Sequence, residues 1–188
     1  TLIVNPNPIV GSVNASPLEY CSDSSFVVNA NGYLGTIQWQ VSTTNGTIGF
    51  SNLTGETSPS YGTSVTNLGT TNLNFWYRIA VNNTPCVATV YSSPVQITVN
   101  PETVPGNVSG GTTPICVGGN PGNLSLNGHV GAIQNWLVSF NGGTATNIAN
   151  TNSSYAPGTL STAGTYSYRA VVKSGACIVD TSTAFTVA

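Results

Sequence analysis

The stretch FWYRIAV, Phe75 to Val81, puts Phe75, Tyr77, Ile79 and Val81 on one side of an extended chain and Trp76, Arg78 and Ala80 on the other. Successive side chains of a β-strand point to opposite faces, so this stretch reads as a strand with one buried and one outward face. YSYRAVV, Tyr166 to Val172, repeats the pattern with Tyr166, Tyr168, Ala170 and Val172 inward. No segment carries apolar residues at i, i+3, i+4 and i+7 over three turns, so helices are not expected.

Working outward from these two strands, the surrounding sequence also repeats. CSDSSFVVNANGYLGTIQWQVS (Cys21 to Ser42) aligns with CVGGNPGNLSLNGHVGAIQNWLVS (Cys116 to Ser139). Cys21 matches Cys116, Gly35 matches Gly131, Trp39 matches Trp136 and Tyr61 matches Tyr155. The order is completed by Tyr77-Arg78 with Tyr168-Arg169 and by Cys86 with Cys177. A shared order of Cys, Gly, Trp, Tyr, Tyr-Arg and Cys marks a tandem array. TLIVNPNP at the start resembles QITVNPET (Gln96 to Thr103) at the join, so residues 1–6 read as the tail of a preceding repeat. Thr1 is not a natural translation start, and the chain reads as two units of a longer array.

Each copy consists of short strands separated by turn-forming residues, the pattern of a sandwich. In TIQWQV (Thr36 to Val41), Ile37, Trp39 and Val41 alternate with Gln38 and Gln40. The second copy has Asn135 inserted just before Trp136, and one extra residue reverses every later side chain unless a β-bulge absorbs it. A bulge is therefore expected there. The fold expected is all-β: two tandem immunoglobulin-like sandwiches of seven strands arranged end to end. The divisions are residues 1–6 (preceding tail), 7–100 (repeat 1) and 101–188 (repeat 2). The join, ITVNPETVPG (Ile97 to Gly106), holds two prolines that stiffen it, which predicts a semi-rigid rod.

Only 4% of residues are charged and the net charge is −2. With Arg78, Arg169 and Lys173 as the only basic side chains, phosphate recognition lacks its cation cluster. Nucleic acid is not an expected partner, nor is an anionic membrane surface. No apolar run reaches the roughly eighteen residues of a spanning helix, so membrane insertion is not expected.

Catalysis finds little material. A Ser-His-Asp centre would need His129, the one histidine, which sits in the turn NGHVG (Asn127 to Gly131). The first copy carries Tyr33 nearby instead. No Cys-x-x-Cys pair suits zinc, and Glu19, Asp23, Glu56, Glu102 and Asp180 are too scattered for a calcium cluster. No enzyme, cofactor or metal site is expected. Arg78 and Arg169 read as outward-facing residues whose stems cover neighbouring apolar surface. Trp39 and Trp136 read as core. Trp76 turns outward where the second copy has Ser167, and Trp76 with Tyr91 is the pair nominated for contact with a sugar or protein. Sequons at Asn14, Asn45, Asn52, Asn82, Asn107, Asn123 and Asn152 carry little weight in so Asn- and Thr-rich a chain.

The motifs YCSDSS, LGTIQWQVS, SPSYGTSV, FWYRIAV and PCVATV in the first copy resemble tandem immunoglobulin-like (PKD-like) repeats of giant cell-surface adhesins of Bacteroidetes. So do PICVGG, VGAIQNW, SSYAPGTLSTAGTYSYRAVVKSGAC and FTV in the second. The flavobacterial gliding-motility adhesin is of this type. The resemblance implies a non-enzymatic structural and adhesive module, exported by the type IX route to the bacterial cell surface. Its partners would be neighbouring repeats, with surface glycans or proteins as outside contacts. A carbohydrate-binding module is the alternative reading. The NNTPC segment of the first copy departs from the family's usual SGxC.

Four cysteines in an extracellular chain imply disulfides. One arrangement pairs within copies, Cys21–Cys86 and Cys116–Cys177. Against it, Cys21 precedes the second strand and Cys86 follows the sixth, at opposite ends of a sandwich. A seven-residue strand separates them by roughly 23 Å, where a disulfide spans about 4.4–6.8 Å between Cα atoms. The other arrangement joins Cys21 to Cys177 across the repeats and leaves Cys86 and Cys116 for neighbouring copies. Both fit the sequence.

Overall fold

The computed structural model describes residues 2–188; Thr1, the first residue of the segment read as a preceding tail, lies outside them. The chain divides into two compact units, Thr1–Asn100 and Pro101–Ala188, and its described elements are all β.

The first unit holds β1 (Ser12–Asn14), β2 (Glu19–Cys21), β3 (Ser25–Asn31), β4 (Thr36–Ser42), β5 (Ser51–Asn52), β6 (Ser60–Ser64), β7 (Leu73–Asn83), β8 (Cys86–Tyr91) and β9 (Val95–Asn100). One sheet runs β1-β3-β6; the other runs β2-β9-β7-β4-β5, with β8 also paired to β7. The sandwich has more segments than the expected seven because its first and last strands are each broken. Residues 15–18, which include Pro17, separate β1 in one sheet from β2 in the other. The last strand breaks between Tyr91 and Val95, where Pro94 has no N–H to give the ladder. At that break Ser92 stands in for backbone: its hydroxyl accepts the Ile79 N–H at 3.1 Å while its own N–H donates to the Ile79 carbonyl at 3.0 Å.

The second unit holds β10 (Asn107–Gly110), β11 (Leu124–Asn127), β12 (Ala132–Phe140), β13 (Thr146–Ile148), β14 (Ser154–Tyr155), β15 (Tyr166–Lys173), β16 (Asp180–Thr181) and β17 (Phe185–Val187). Its sheets run β10-β11-β14 and β13-β12-β15-β16, with β17 also on β15. Its last strand breaks the same way: the Ser182 hydroxyl accepts the Ala170 N–H at 2.8 Å and the Ser182 N–H donates to the Ala170 carbonyl at 2.9 Å. The expected bulge is present. Ile133 pairs with Val172 and Asn135 with Val171, so Gln134 is the residue without a partner, one place before the Asn135 that the alignment marked. This lets both Ile133 and Trp136 face inward although they are three residues apart.

Each sandwich closes over a core drawn from both of its sheets. Phe26, Val28 and Ala30 of β3 meet Ile37 and Trp39 of β4, Tyr77, Ile79 and Val81 of β7, and Ile97 and Val99 of β9. Leu124 and Leu126 of β11 likewise meet Trp136, Tyr168, Ala170, Val172 and Val187. Burying each large apolar side chain contributes about 1.5–3 kcal/mol. The buried indoles still find acceptors, Trp39 on the Ser58 carbonyl at 2.8 Å and Trp136 on the Asn152 carbonyl at 2.9 Å. Alternation along β7 holds with one correction: Ala80, expected outward, is buried. It is a small residue that lies between Gln38 on β4 and Tyr91 on β8.

The paired tyrosines of the core carry a pH signature. Burial, and secondarily the nearby Tyr61, raises the Tyr77 phenol well above its ordinary range. Burial, with Tyr155 and Tyr166 adding to it, pushes Tyr168 up to about 12. The unfolded chain ionises its tyrosines near pH 10, so the folded state holds protons that the unfolded state has released. Stability is therefore intact below about pH 10 and falls as pH climbs toward the folded values. Urea denaturation at pH 9 and at pH 11 should show this loss, and Tyr77→Phe should reduce it for the first unit. An unchanged midpoint would contradict the assignment.

Candidate functional site

Two groups of residues merit scrutiny for function: the outward face of β7 and the cysteines. The outward face is built by register. Asn74, Trp76 and Arg78 of β7 stand beside Thr98 and Gln96 of β9 on one side and Gln40 of β4 on the other. Gln96 and Thr98 both donate to the Asn74 side-chain oxygen, at 3.0 and 2.9 Å. A shallow groove of Leu18, Glu19, Asn72, Asn74, Gln96 and Thr98 adjoins this ladder.

Trp76 is half-buried rather than free. The β4–β5 loop lies on it through Gly46, where an added Cβ would come within 3.2 Å of the indole Cδ1 and 3.5 Å of Pro94 Cγ. Tyr91 is 50% exposed and stands opposite Ala80, four residues along β7 from Trp76. That is about 13 Å of strand. Arg78 lies between the two. Its guanidinium carbon sits 3.9 Å from the Phe50 ring centroid and 4.3 Å from that of Tyr91. Its Nε–H donates to Gln40 Oε1 at 2.8 Å, and Gln40 in turn donates to Asn52 at 2.9 Å. The aromatic pair assembled on this face is thus Phe50 with Tyr91, clamped about a cation. Phe50 arrives from a loop, where strand alternation gives no signal. Arg169 at the equivalent place is exposed, with Thr181 rather than a tyrosine in the strand facing it. The recurring arginine therefore has two different settings.

His129 is half-buried in the turn after β11. Among the described residues no three His, Cys, Asp or Glu side chains gather as a metal-binding group.

Cys21 and Cys177 are disulfide-bonded, whereas Cys86 and Cys116 carry thiols. The within-copy pairs Cys21–Cys86 and Cys116–Cys177 are therefore not formed, in keeping with the separation of strand ends that argued against them. Equivalent cysteines share local geometry. Cys21 closes a turn in which the Ser24 N–H donates to its carbonyl at 3.1 Å, and Cys116 closes one with Gly119 at 2.8 Å. Cys177 Sγ lies 3.1 Å from the Pro101 carbonyl oxygen, and the Cys86 thiol lies 3.4 Å from that of Pro6. Pro6 and Pro101 are the matching prolines of the two VNP segments.

The family model described as "Domain of unknown function (DUF8696)" matches residues 10–101 and again residues 104–188. No curated protein matches the chain. Among solved structures, the FN1-FN3 domains of chicken CNTN1 superpose with a TM-score of 0.40 at 8% identity, covering 96% of this chain and 64% of that one. The fibronectin(III)-like modules of Clostridium thermocellum CbhA give a TM-score of 0.37 at 11% identity, covering 93% of this chain and 91% of that one.

Proposed function

The chain belongs to the DUF8696 family in two consecutive copies, and from this premise we propose that it is a non-enzymatic structural and adhesive module of an extracellular bacterial surface protein. The supporting observation is the division between what the copies share and what they do not. Shared features are skeletal: the indole-to-carbonyl bonds of Trp39 and Trp136, the serines at the broken last strand, the Tyr61 and Tyr155 rings beside them. The chemically distinctive positions differ, with Ser167 for Trp76, Thr181 for Tyr91 and Tyr33 near the place of His129. A module whose work is to be a link needs its skeleton repeated and leaves its surface free to vary.

A chain with oxidised Cys21 and Cys177 suits an oxidising compartment outside the cytosol. Because the other two cysteines are thiols, the oxidation pattern supports a Cys21–Cys177 staple from one repeat to the next. Non-reducing peptide mapping tests it. The expected result is one cross-linked peptide pair holding Cys21 and Cys177, and any within-copy pair overturns it. Export by the type IX route and a part in a gliding adhesin belong to the same proposal and rest on the motif resemblance. Small-angle scattering should give an elongated particle; a side-by-side particle would count against a link in a rod.

The amide- and hydroxyl-lined groove beside Trp76 favours a second reading, carbohydrate binding. A glycan array comparing the protein with Trp76→Ala and Tyr91→Ala separates the two. Specific binding lost in either variant supports the second reading, and no binding leaves the link.

A further inference from the structure

Within each repeat the two cysteines lie where the chain enters and leaves. Cys21 ends β2, opposite Asn100, the last residue of β9. Cys116 lies beside the matching strand end, since the Ile115 N–H donates to the Ala188 carbonyl at 2.9 Å and Ala188 matches Asn100. Even the turn is copied: Asp23, two residues after Cys21, has φ +62°, and Gly118, two residues after Cys116, has φ +84°. Cys86 faces the incoming segment. Its thiol and the Asn83 side-chain amide both approach the Pro6 carbonyl, the amide at 2.8 Å, as Cys177 approaches Pro101. Each thiol thus occupies the position that is disulfide-bonded in the sister repeat.

We infer that Cys116 and Cys86 are the two halves of further staples, and that the partner of each is another copy of this repeat. Cys116 takes the second cysteine of a following copy, and Cys86 takes the first cysteine of a preceding one. The inference rests on the Cys21–Cys177 staple proposed above. The contact is heterologous, since each bond joins the first cysteine of one repeat to the second cysteine of the next, so the same bond can recur along a chain of copies. Bond formation removes two protons and two electrons from the paired thiols. A small-molecule or protein disulfide receives them and leaves as two thiols, by exchange through a mixed disulfide.

The test is a chain in which residues 1–188 run directly into a second copy beginning at Pro6, so that Ala188 replaces Asn5 before the proline. The chain is incubated with oxidised and reduced glutathione, alkylated and mapped without reduction. One copy carries two thiols, so two independent copies carry 2 + 2 = 4. The expected result is two, with a cross-linked peptide joining Cys116 of the first copy to Cys86 of the second. Cys116→Ser in the first copy should raise the count to three and remove that peptide. Four thiols, or peptides joining Cys86 to Cys86 or Cys116 to Cys116, overturn the inference. Mapping the unduplicated chain in parallel keeps the two ideas distinct. If Cys21–Cys177 is found there and Cys116–Cys86 is not found in the duplicated chain, only the inference falls. If Cys21–Cys177 itself is missing, both fall.

Discussion

Trp136→Ala should strongly destabilise the second unit while leaving the stability of the first unchanged. The indole is fully buried, lies tilted against Tyr155 at 5.7 Å between centroids, and donates its N–H to the Asn152 carbonyl. Truncation removes the largest side chain of that core, and the Trp→Ala cost in comparable cores is about 3–5 kcal/mol. A domain of this size is stable by roughly 5–15 kcal/mol in all, so the loss takes at least about a fifth of the margin and at the low end of that range all of it. In calorimetry the endotherm of the second unit should fall by on the order of 20 °C, taking about 4–8 °C per kcal/mol for small domains. Trp39→Ala should do the same to the first unit. Trp136→Phe is a finer probe: it keeps much of the volume but leaves the Asn152 carbonyl without its donor, at about 1–3 kcal/mol. A shift of only a few degrees in Trp136→Ala would mean that the core is not organised about this ring.

The second large effect is expected at Gly35 and Gly131, one before each inner strand. Gly35 has φ +126° and Gly131 φ +115°, a region closed to residues with a Cβ. An added methyl at Gly35 would stand 2.2 Å from the Asn82 carbonyl oxygen; at Gly131 it would stand 2.6 Å from the Lys173 carbonyl carbon. Strain and overpacking each cost about 1–3 kcal/mol, so Gly35→Ala or Gly131→Ala should lose about 2–6 kcal/mol of the affected unit. Gly55 is the control. Its φ is +84°, but nothing lies within 4 Å of its added Cβ, so Gly55→Ala should be milder. Equal losses at Gly35 and Gly55 would show that backbone conformation alone, and not the close approach, fixes Gly35.

These two sites also show why part of the fold was legible beforehand. A Trp that fills a core and a Gly that admits a neighbouring backbone allow no substitute, so they recur in order in both copies. The bulge was legible as an extra residue, but its place fell at Gln134 rather than Asn135. An alignment counts residues, whereas the ladder decides which one goes unpaired. The split of the last strand was partly signalled by Pro94. The serines that bridge the break were not singled out, because a serine in a Thr- and Ser-rich chain looks like any other. On the outward face, alternation placed Trp76 and Arg78 on the correct side. It could not see that Phe50 and Gly46 would arrive from the loop after β4 to clamp one and cover the other. Contacts made by loops depend on path rather than period, and period is what a sequence displays.

The pairing of β2 with β9 has a mechanical consequence. The two strands run parallel, Glu19 beside Thr98 and Cys21 beside Asn100, and they lie near opposite ends of the first unit's chain. Tension on those ends pulls the partners past each other along their length. The rungs that bridge them, including Ser22 to Asn100 and Thr98 to Leu18, are then loaded together rather than one after another. An antiparallel hairpin pulled at its open end parts one rung at a time. In the second unit the corresponding ends are joined by a single backbone hydrogen bond, from Ile115 to Ala188. Forced unfolding is governed by the unfolding barrier rather than by equilibrium stability. A repeat of this design should therefore resist a pull better than its modest core suggests.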